Sequence, residues 1–120
     1  MGFRALVADD AGFLREILKN ILEDMGFAVF EATNGVEAVN QHAISQPDLI
    51  FMDVVLPEKN GLEAAKEILQ VFPLAKIITM STLESSDLPE DILKIGVRKH
   101  MHKPFTKEQV KQIVKELIND

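Results

Sequence analysis

The chain has 120 residues, and 19 acidic against 13 basic side chains give it a formal net charge of -6. This length favours a single domain over residues 1–120, and 47% hydrophobic with 27% charged residues is typical of a globular protein. The absence of cysteine excludes disulfides, thiol catalysis and cysteine-ligated metal centres. The acidity argues against direct nucleic-acid binding, which requires a basic surface.

The sequence also carries no signal for a membrane or for export. No apolar segment approaches the roughly 20 residues that cross a bilayer, and the N-terminus lacks a basic region followed by an apolar stretch. We therefore expect a cytoplasmic protein without membrane insertion. The charge is uneven along the chain, because basic residues outnumber acidic ones from Lys94 to the C-terminus.

Short apolar segments alternate with longer amphipathic ones, which is typical of strand–helix units around a parallel sheet. The first half of the chain predicts a strand at 3–8, a helix at 11–25, a strand at 27–32, a helix at 36–45 and a strand at 49–52. The second half predicts a helix at 61–72, strands at 77–80 and 97–102 around a short helix at 89–95, and a last helix after Thr106. Because the inner strands are wholly apolar, helices should cover both faces of the sheet. The expected fold is α/β, a doubly wound three-layer sandwich with five parallel strands and five helices.

Capping residues mark several of the predicted helix ends. Gly26 follows the first helix, where a residue with left-handed backbone conformation would end it. Asn34 with Glu37, and Thr106 with Gln109, have the spacing of residues that cap the first turn of a helix. These signals place the end of the first helix and the starts of the second and last.

Polar residues follow four of the five predicted strands. In a doubly wound sheet the functional site lies outside the carboxyl ends of the strands, so these residues are expected to converge. They are Asp9 and Asp10 after the first strand, Asp53 after the third, Ser81 and Thr82 after the fourth, and Lys103 with Pro104 after the fifth.

Three carboxylates at one edge repel each other unless a cation lies between them. Mg²⁺ suits such a site, because it prefers oxygen ligands and pairs with phosphate oxygens. With the metal bound, a carboxylate can accept a phosphoryl group while Lys103 holds a phosphoryl oxygen. Each motif alone is common in caps, turns and loops, but their joint placement at strand ends favours phosphoryl chemistry.

Several segments resemble the receiver domain of bacterial response regulators, the CheY-like family, and the resemblance covers essentially the whole chain. They are VADD at 7–10, MDVVLP at 52–57 followed by GLE at 61–63, IITMS at 77–81 and KPF at 103–105. The resemblance implies a flavodoxin-like fold, (βα)5, with strand order 2-1-3-4-5. It also implies a phosphorylation-activated signalling switch of a two-component system.

The resemblance implies a role for each residue of the acidic group. Asp53 corresponds to the phosphoacceptor. Asp9, Asp10 and Asp53, together with the backbone carbonyl of Val55, correspond to the Mg²⁺ ligands. Lys103 corresponds to the ion-pair partner of the phosphoryl group.

Other positions correspond to the switch and to the rim of the site. Ser81 matches the hydroxyl that moves to the phosphoryl group, and the peptide bond between Lys103 and Pro104 is expected to be cis. His100 stands at a switch position where the family usually has Tyr or Phe, and its charge can vary near neutral pH. Thr82 stands where Ala or Gly is usual, and its larger side chain would narrow access to the site.

Val55 and Leu83 occupy two variable positions that influence loss of the phosphoryl group in this family. Both are apolar and neither can orient an attacking water. We therefore hypothesise slow self-dephosphorylation, which rapid decay of the phosphoryl group on the isolated protein would contradict.

As a receiver domain, the chain would take its phosphoryl group from a sensor histidine kinase or a phosphotransfer protein, and it would not otherwise be an enzyme. A downstream protein would bind the face of the fourth helix, fifth strand and fifth helix, and we expect chemotaxis-type signalling. Alternatives are a receiver domain cut from a larger response regulator and a phosphorylation-independent interaction module. A phosphatase of the haloacid dehalogenase type is a further alternative, although its Asp-x-Asp pair is missing.

Overall fold

The computed structural model describes residues 2–82 and 92–118. Its centre is a sheet of five parallel strands. They are β1 (Phe3–Ala8), β2 (Phe27–Ala32), β3 (Leu49–Asp53), β4 (Ile77–Ser81) and β5 (Lys99–His102). Their order is β2-β1-β3-β4-β5, which confirms the expected topology, and β5 begins two residues later than predicted.

Four α-helices pack on this sheet in the described part of the chain. They are α1 (Gly12–Asp24), α2 (Gly35–Ser45), α3 (Gly61–Val71) and α4 (Lys107–Ile118). Of the short helix predicted at 89–95, the described residues form a 3₁₀ turn, Ile92–Ile95. The rest of that helix lies outside the described residues, as does Leu83. No helix in the described ranges is long and apolar enough to cross a membrane.

The predicted capping residues act at three helix ends. The Asn34 side chain accepts a hydrogen bond of 2.7 Å from the backbone N–H of Glu37 and so caps the start of α2. Thr106 and Gln109 exchange reciprocal bonds, with Thr106 N donating to Gln109 Oε1 at 2.8 Å and Gln109 N to Thr106 Oγ1 at 3.1 Å. Gly26 has a φ of 97°, the left-handed conformation expected after α1. Capping of this kind stabilises a helix by about 1 kcal/mol.

Two apolar layers fix the helices on opposite faces of the sheet. Val7 and Phe51 pack with α1 and α4, whereas Leu6 and Met52 pack with α2 and α3. All four strand residues are fully buried, and each contributes roughly 1.5 to 3 kcal/mol by leaving water. The inner strands are therefore firmly held, and their carboxyl ends form a rigid edge on which side chains can be placed accurately.

Candidate functional site

Asp9, Asp53 and Lys103 form a buried ionic network at the carboxyl ends of the strands. Their exposed fractions are 2%, 6% and 6%, respectively. Lys103 Nζ donates to Asp9 Oδ2 at 2.5 Å and to Asp53 Oδ2 at 2.8 Å. Asp9 follows β1 and Asp53 ends the neighbouring β3, while Lys103 arrives from the end of β5. The predicted convergence of these strand ends is thereby confirmed.

The backbone holds the other oxygen of each buried carboxylate. Asp9 Oδ1 accepts a bond of 2.9 Å from the N–H of Ala11, and Asp53 Oδ1 accepts one of 3.0 Å from the N–H of Val55. The N–H of Asp9 in turn donates to the Ala32 carbonyl of β2 at 3.1 Å. Both carboxylates are therefore fixed in orientation by one backbone donor and one shared ammonium group.

The three acidic residues lie close enough together to share one ion. One carboxylate oxygen from each of Asp9, Asp10 and Asp53 lies within 4.8 Å of the others, and Asp10 is the exposed member. The donors are all oxygens, which is the set that a hard divalent cation prefers. Val55, whose backbone is the fourth expected ligand, is already bonded to Asp53 through its N–H and is 59% exposed. The residues present therefore fit Mg²⁺.

Burial and charge act in opposite directions on the two ends of the ion pair. Burial raises the pKa of Asp53, the charge of Asp9 adds to this, and hydrogen bonds from Lys103 and Val55 only partly offset it. For Lys103, burial favours a lower pKa, but its hydrogen bonds to Asp53 and Asp9 outweigh burial and raise the pKa. The Lys103 ammonium group is therefore held in its charged form, whereas burial disfavours the charged form of Asp53. A further cation at this edge would favour the charged form of Asp53 and would also relieve its smaller repulsion by Asp9.

The first residue of α3, Gly61, lies in close contact with the backbone of Asp53, the candidate phosphoacceptor. A Cβ atom added at Gly61 would lie only 1.8 Å from the Asp53 carbonyl oxygen, so no other residue fits there without a backbone shift. The Gly61 N–H also donates to the Val54 carbonyl at 2.9 Å. This close approach fixes the carboxyl end of β3 and with it the position of Asp53.

Ser81 and Thr82 occupy the end of the next strand. Ser81 ends β4 and is 1% exposed, and its carbonyl accepts a bond of 2.8 Å from the N–H of Lys103. Thr82 is exposed beside it. Because Asp53 is paired with Met80 across the ladder, Ser81 stands one residue beyond the level of Asp53. The peptide bond between Lys103 and Pro104 is cis, as expected.

His100 lies deeper in the sheet than the strand ends. It is paired with Thr79 across the β4–β5 ladder, and its Nδ1 lies 2.7 Å from Thr79 Oγ1. Its Nε2 is buried and has no hydrogen-bond partner in the described part of the molecule. Burial lowers the pKa of His100, and the nearby charge of His102 lowers it further. The contact of Thr79 was not predicted from the sequence, although a polar residue inside an apolar strand is a usable signal.

Arg15, in the first turn of α1, is a second contact that the sequence analysis missed. Its Nη1 donates to the backbone carbonyl of Asp9 at 2.8 Å, and its Nε donates to Glu31 Oε1 on β2 at 3.0 Å. The spacing of Asp9 and Arg15 predicts no contact by itself, because the contact depends on the turn between β1 and α1.

Fold and site together define a doubly wound domain whose functional edge gathers carboxylates around one lysine. The sequence profile described as response regulator receiver domain matches residues 5–115, and the chain belongs to this family. It is 41% identical over 111 residues to the chemotaxis protein CheY of Thermotoga maritima, covering 92% of each chain. It is 37% identical to CheY of Bacillus subtilis over 120 residues, covering 99% of this chain and all of that one.

A solved structure extends the comparison to three dimensions. A chain in the crystal structure of the CheX-CheY-BeF3-Mg²⁺ complex from Borrelia burgdorferi matches with a TM-score of 0.89 and 27% identity. The match covers 97% of this chain and 89% of that one. The chain is therefore a receiver domain of two-component signalling, a phosphorylation-activated switch and not a classical enzyme.

Proposed function

We propose that Asp53 accepts a phosphoryl group from a sensor histidine kinase or a phosphotransfer protein, in signalling of the chemotaxis type. The observation that carries this proposal is the Lys103 ammonium group shared between the buried carboxylates of Asp9 and Asp53. An interaction module that worked without phosphorylation would gain nothing from two buried acids, whose burial opposes folding. We also propose that residues 1–120 act as one receiver domain in the cytoplasm.

Mg²⁺ would be held by carboxylate oxygens of Asp9, Asp10 and Asp53 and by the backbone carbonyl of Val55. When bound, it supplies positive charge that offsets the repulsion between Asp53 and an incoming phosphoryl group. The backbone donors to Asp9 and Asp53 hold these carboxylates in place, so little reorganisation is needed before reaction.

The phosphoryl step joins an Asp53 oxygen to phosphorus as the bond from phosphorus to the donor breaks. Lys103 already touches Asp53 Oδ2 and would bind an oxygen of the transferred group. The donor side chain leaves with the electron pair of the broken bond and takes up a proton. Thr82, exposed at the rim, and Pro104 would shape the approach of the donor.

The switch would follow from the new negative charge. Ser81, one residue beyond the level of Asp53, would turn its hydroxyl toward the phosphoryl group. His100, paired with Thr79 two residues before Ser81, would respond on β5. We propose that the resulting shift is read by a downstream protein at the surface formed by the 3₁₀ turn, β5 and α4. The presence of CheX, BeF3 and Mg²⁺ in the Borrelia burgdorferi complex supports this type of partner and ligand.

Phosphorylation by a small acyl phosphate, followed by mass spectrometry of the intact protein, tests the proposal. Wild type is compared with Asp53→Asn, and Asp24→Asn, at an exposed site near the end of α1, is the matched control. We expect wild type and Asp24→Asn to gain one phosphoryl group only with Mg²⁺, and Asp53→Asn to gain none. A gain in Asp53→Asn, or no gain in wild type from either the acyl phosphate or a phosphohistidine protein, would contradict the proposal.

A further inference from the structure

The guanidinium group of Arg15 links β2 to the acidic edge. It lies on α1, is 20% exposed, and binds the Glu31 carboxylate on β2 through Nε at 3.0 Å. Through Nη1 it binds the backbone carbonyl of Asp9 at 2.8 Å. Lys19, one turn later on α1, also reaches Glu31, at 3.4 Å, but it makes no contact with Asp9.

The Asp9 carbonyl belongs to the peptide bond that precedes Asp10, the acid of the cluster with the fewest contacts. Every other polar group of Asp9 is bonded to Ala32, Ala11 or Lys103, and its carbonyl is bonded to Arg15. Asp10 is exposed, and no donor in the described ranges binds its carboxylate. The peptide plane between Asp9 and Asp10 is rigid, so holding the Asp9 carbonyl also sets the direction in which the chain enters Asp10.

We propose that Arg15 is a positioning residue for the metal site, which orients the peptide before Asp10 so that its carboxylate stays with those of Asp9 and Asp53. This inference rests on the proposed function, because it takes Mg²⁺ as the ion that the three acids bind. The planar fork of a guanidinium suits this bridge, since two of its nitrogens reach two acceptors at once. A lysine at the same position keeps the charge but not the fork.

The charge and the geometry of Arg15 have opposite consequences for metal affinity. A cation near the acidic cluster repels Mg²⁺, so removal of the charge alone would tighten binding. Removal of the hydrogen bond to the Asp9 carbonyl would weaken binding, because Asp10 would no longer be held in place. The sign of the change therefore separates a positioning role from a simple effect of charge.

The experiment titrates Mg²⁺ calorimetrically into the full chain, as wild type and as the variants Arg15→Met, Arg15→Lys and Lys19→Met. We expect the Kd for Mg²⁺ to rise about tenfold in Arg15→Met, the lower end of the effect of residues that orient metal ligands. Arg15→Lys should also bind more weakly than wild type, although it keeps the charge. Lys19→Met removes a positive charge from the same helix, one that also pairs with Glu31, and this variant should bind Mg²⁺ at least as tightly as wild type.

Thermal unfolding without metal, followed by circular dichroism, checks that each variant is folded, and Arg15→Lys keeps the test decisive if Arg15→Met does not fold. Unchanged or tighter binding in both Arg15 variants would overturn the positioning role. Equal weakening in Lys19→Met would overturn it too, because Lys19 does not touch Asp9. If wild type bound no Mg²⁺, both the proposed metal site and the positioning role of Arg15 would be overturned. If wild type bound Mg²⁺ and the Arg15 variants bound it equally well, only the positioning role would be overturned.

Discussion

The two halves of the functional edge differ in how completely their polar groups are bonded. In the acidic half, at the ends of β1 and β3, all four carboxylate oxygens of the two buried acids, Asp9 and Asp53, accept hydrogen bonds, and only the exposed Asp10 has no donor in the described ranges. In the other half, along β4 and β5, the buried Nε2 of His100 has no partner in the described ranges, and Thr82 is exposed. The contrast indicates that the buried carboxylates of the acidic half are already held in place for phosphoryl transfer. The β4–β5 half still contains a buried nitrogen that could form a further hydrogen bond.

The cause of the difference lies in the packing behind each half. β1 and β3 are central strands, paired on both sides, and Gly61 seats α3 against the Asp53 carbonyl. β5 has only four residues and lies at the edge of the sheet. Met101 is the one residue of this strand that is buried. A central, doubly covered position fixes a side chain, whereas an edge strand leaves room for a second arrangement.

The largest effect is expected when the acidic half loses the ammonium group of Lys103. Lys103→Met would leave the buried carboxylates of Asp9 and Asp53 without their shared ammonium group. We expect the free energy of unfolding at neutral pH to fall by about 3 kcal/mol, as when one partner of a buried ion pair is removed. Urea unfolding followed by circular dichroism measures this, since the chain has no tryptophan or tyrosine.

Two comparisons sharpen that result. Mg²⁺ should recover part of the lost stability, because it returns positive charge to the same carboxylates. Lys111→Met, at a half-buried position of α4 with no acidic partner in the described ranges, removes an equal charge and should change stability by less than about 0.5 kcal/mol. Equal losses in Lys103→Met and Lys111→Met would show that the acidic half is not held by its ion pair.

A smaller effect is expected from the hydrogen bond between Thr79 and His100. Thr79→Val keeps the shape of the fully buried side chain but leaves Nδ1 of His100 without a partner as well. We expect a loss of about 1 to 2 kcal/mol. In the double variant with His100→Phe, both polar groups are gone, and stability should return close to that of wild type.

Urea unfolding of the two single variants and the double variant completes this cycle. Thr82→Val, the same change at an exposed position, is the control and should be nearly neutral. If the double variant lost as much stability as the sum of its single variants, the bond between Thr79 and His100 would not couple the two strands.

The regular part of the fold could be predicted from the sequence because it depends on local patterns. The apolar segments 3–8 and 27–32 became β1 and β2 without any change of boundary, and Asn34 capped α2 as its spacing with Glu37 predicted. The end of β5 was also predicted correctly, but its start was not. Val97 is apolar and buried, yet it packs beside the sheet and not in the strand, which is a tertiary preference that periodicity does not encode.

The candidate site could be predicted in part for a related reason. Asp9 and Lys103 directly follow strands and Asp53 is the last residue of β3, so the topology of the sheet was enough to bring them together. Arg15 and Thr79 do not follow strands, and their contacts depend on a turn and on the β4–β5 register. The polarity of Thr79 within an apolar strand marks that residue, but the partners of both residues are set by three-dimensional packing, which no spacing rule in the sequence predicts.

The smallest effect is expected from pH, and it tests whether His100 remains uncharged in the β4–β5 half. The pKa of His100 is lowered by burial and by His102, so the unfolded chain takes up a proton at a pH where the folded protein does not. Stability is therefore complete above the ordinary histidine pKa of about 6.5 and is lost as the pH falls from there toward the lowered value. Burial lowers the pKa of His42 in the same direction, so part of the loss belongs to that residue.

His100→Gln should make the fall in unfolding free energy between about pH 7.5 and pH 5.5 shallower, because one of the two contributing imidazoles is gone. His102→Gln, at an exposed position, should leave most of the slope in place. Urea unfolding across this range measures both slopes. An unchanged slope in His100→Gln would mean that His100 is protonated as readily in the folded protein as in the unfolded chain. The β4–β5 half would then carry a positive charge on an imidazole whose buried Nε2 has no partner in the described ranges.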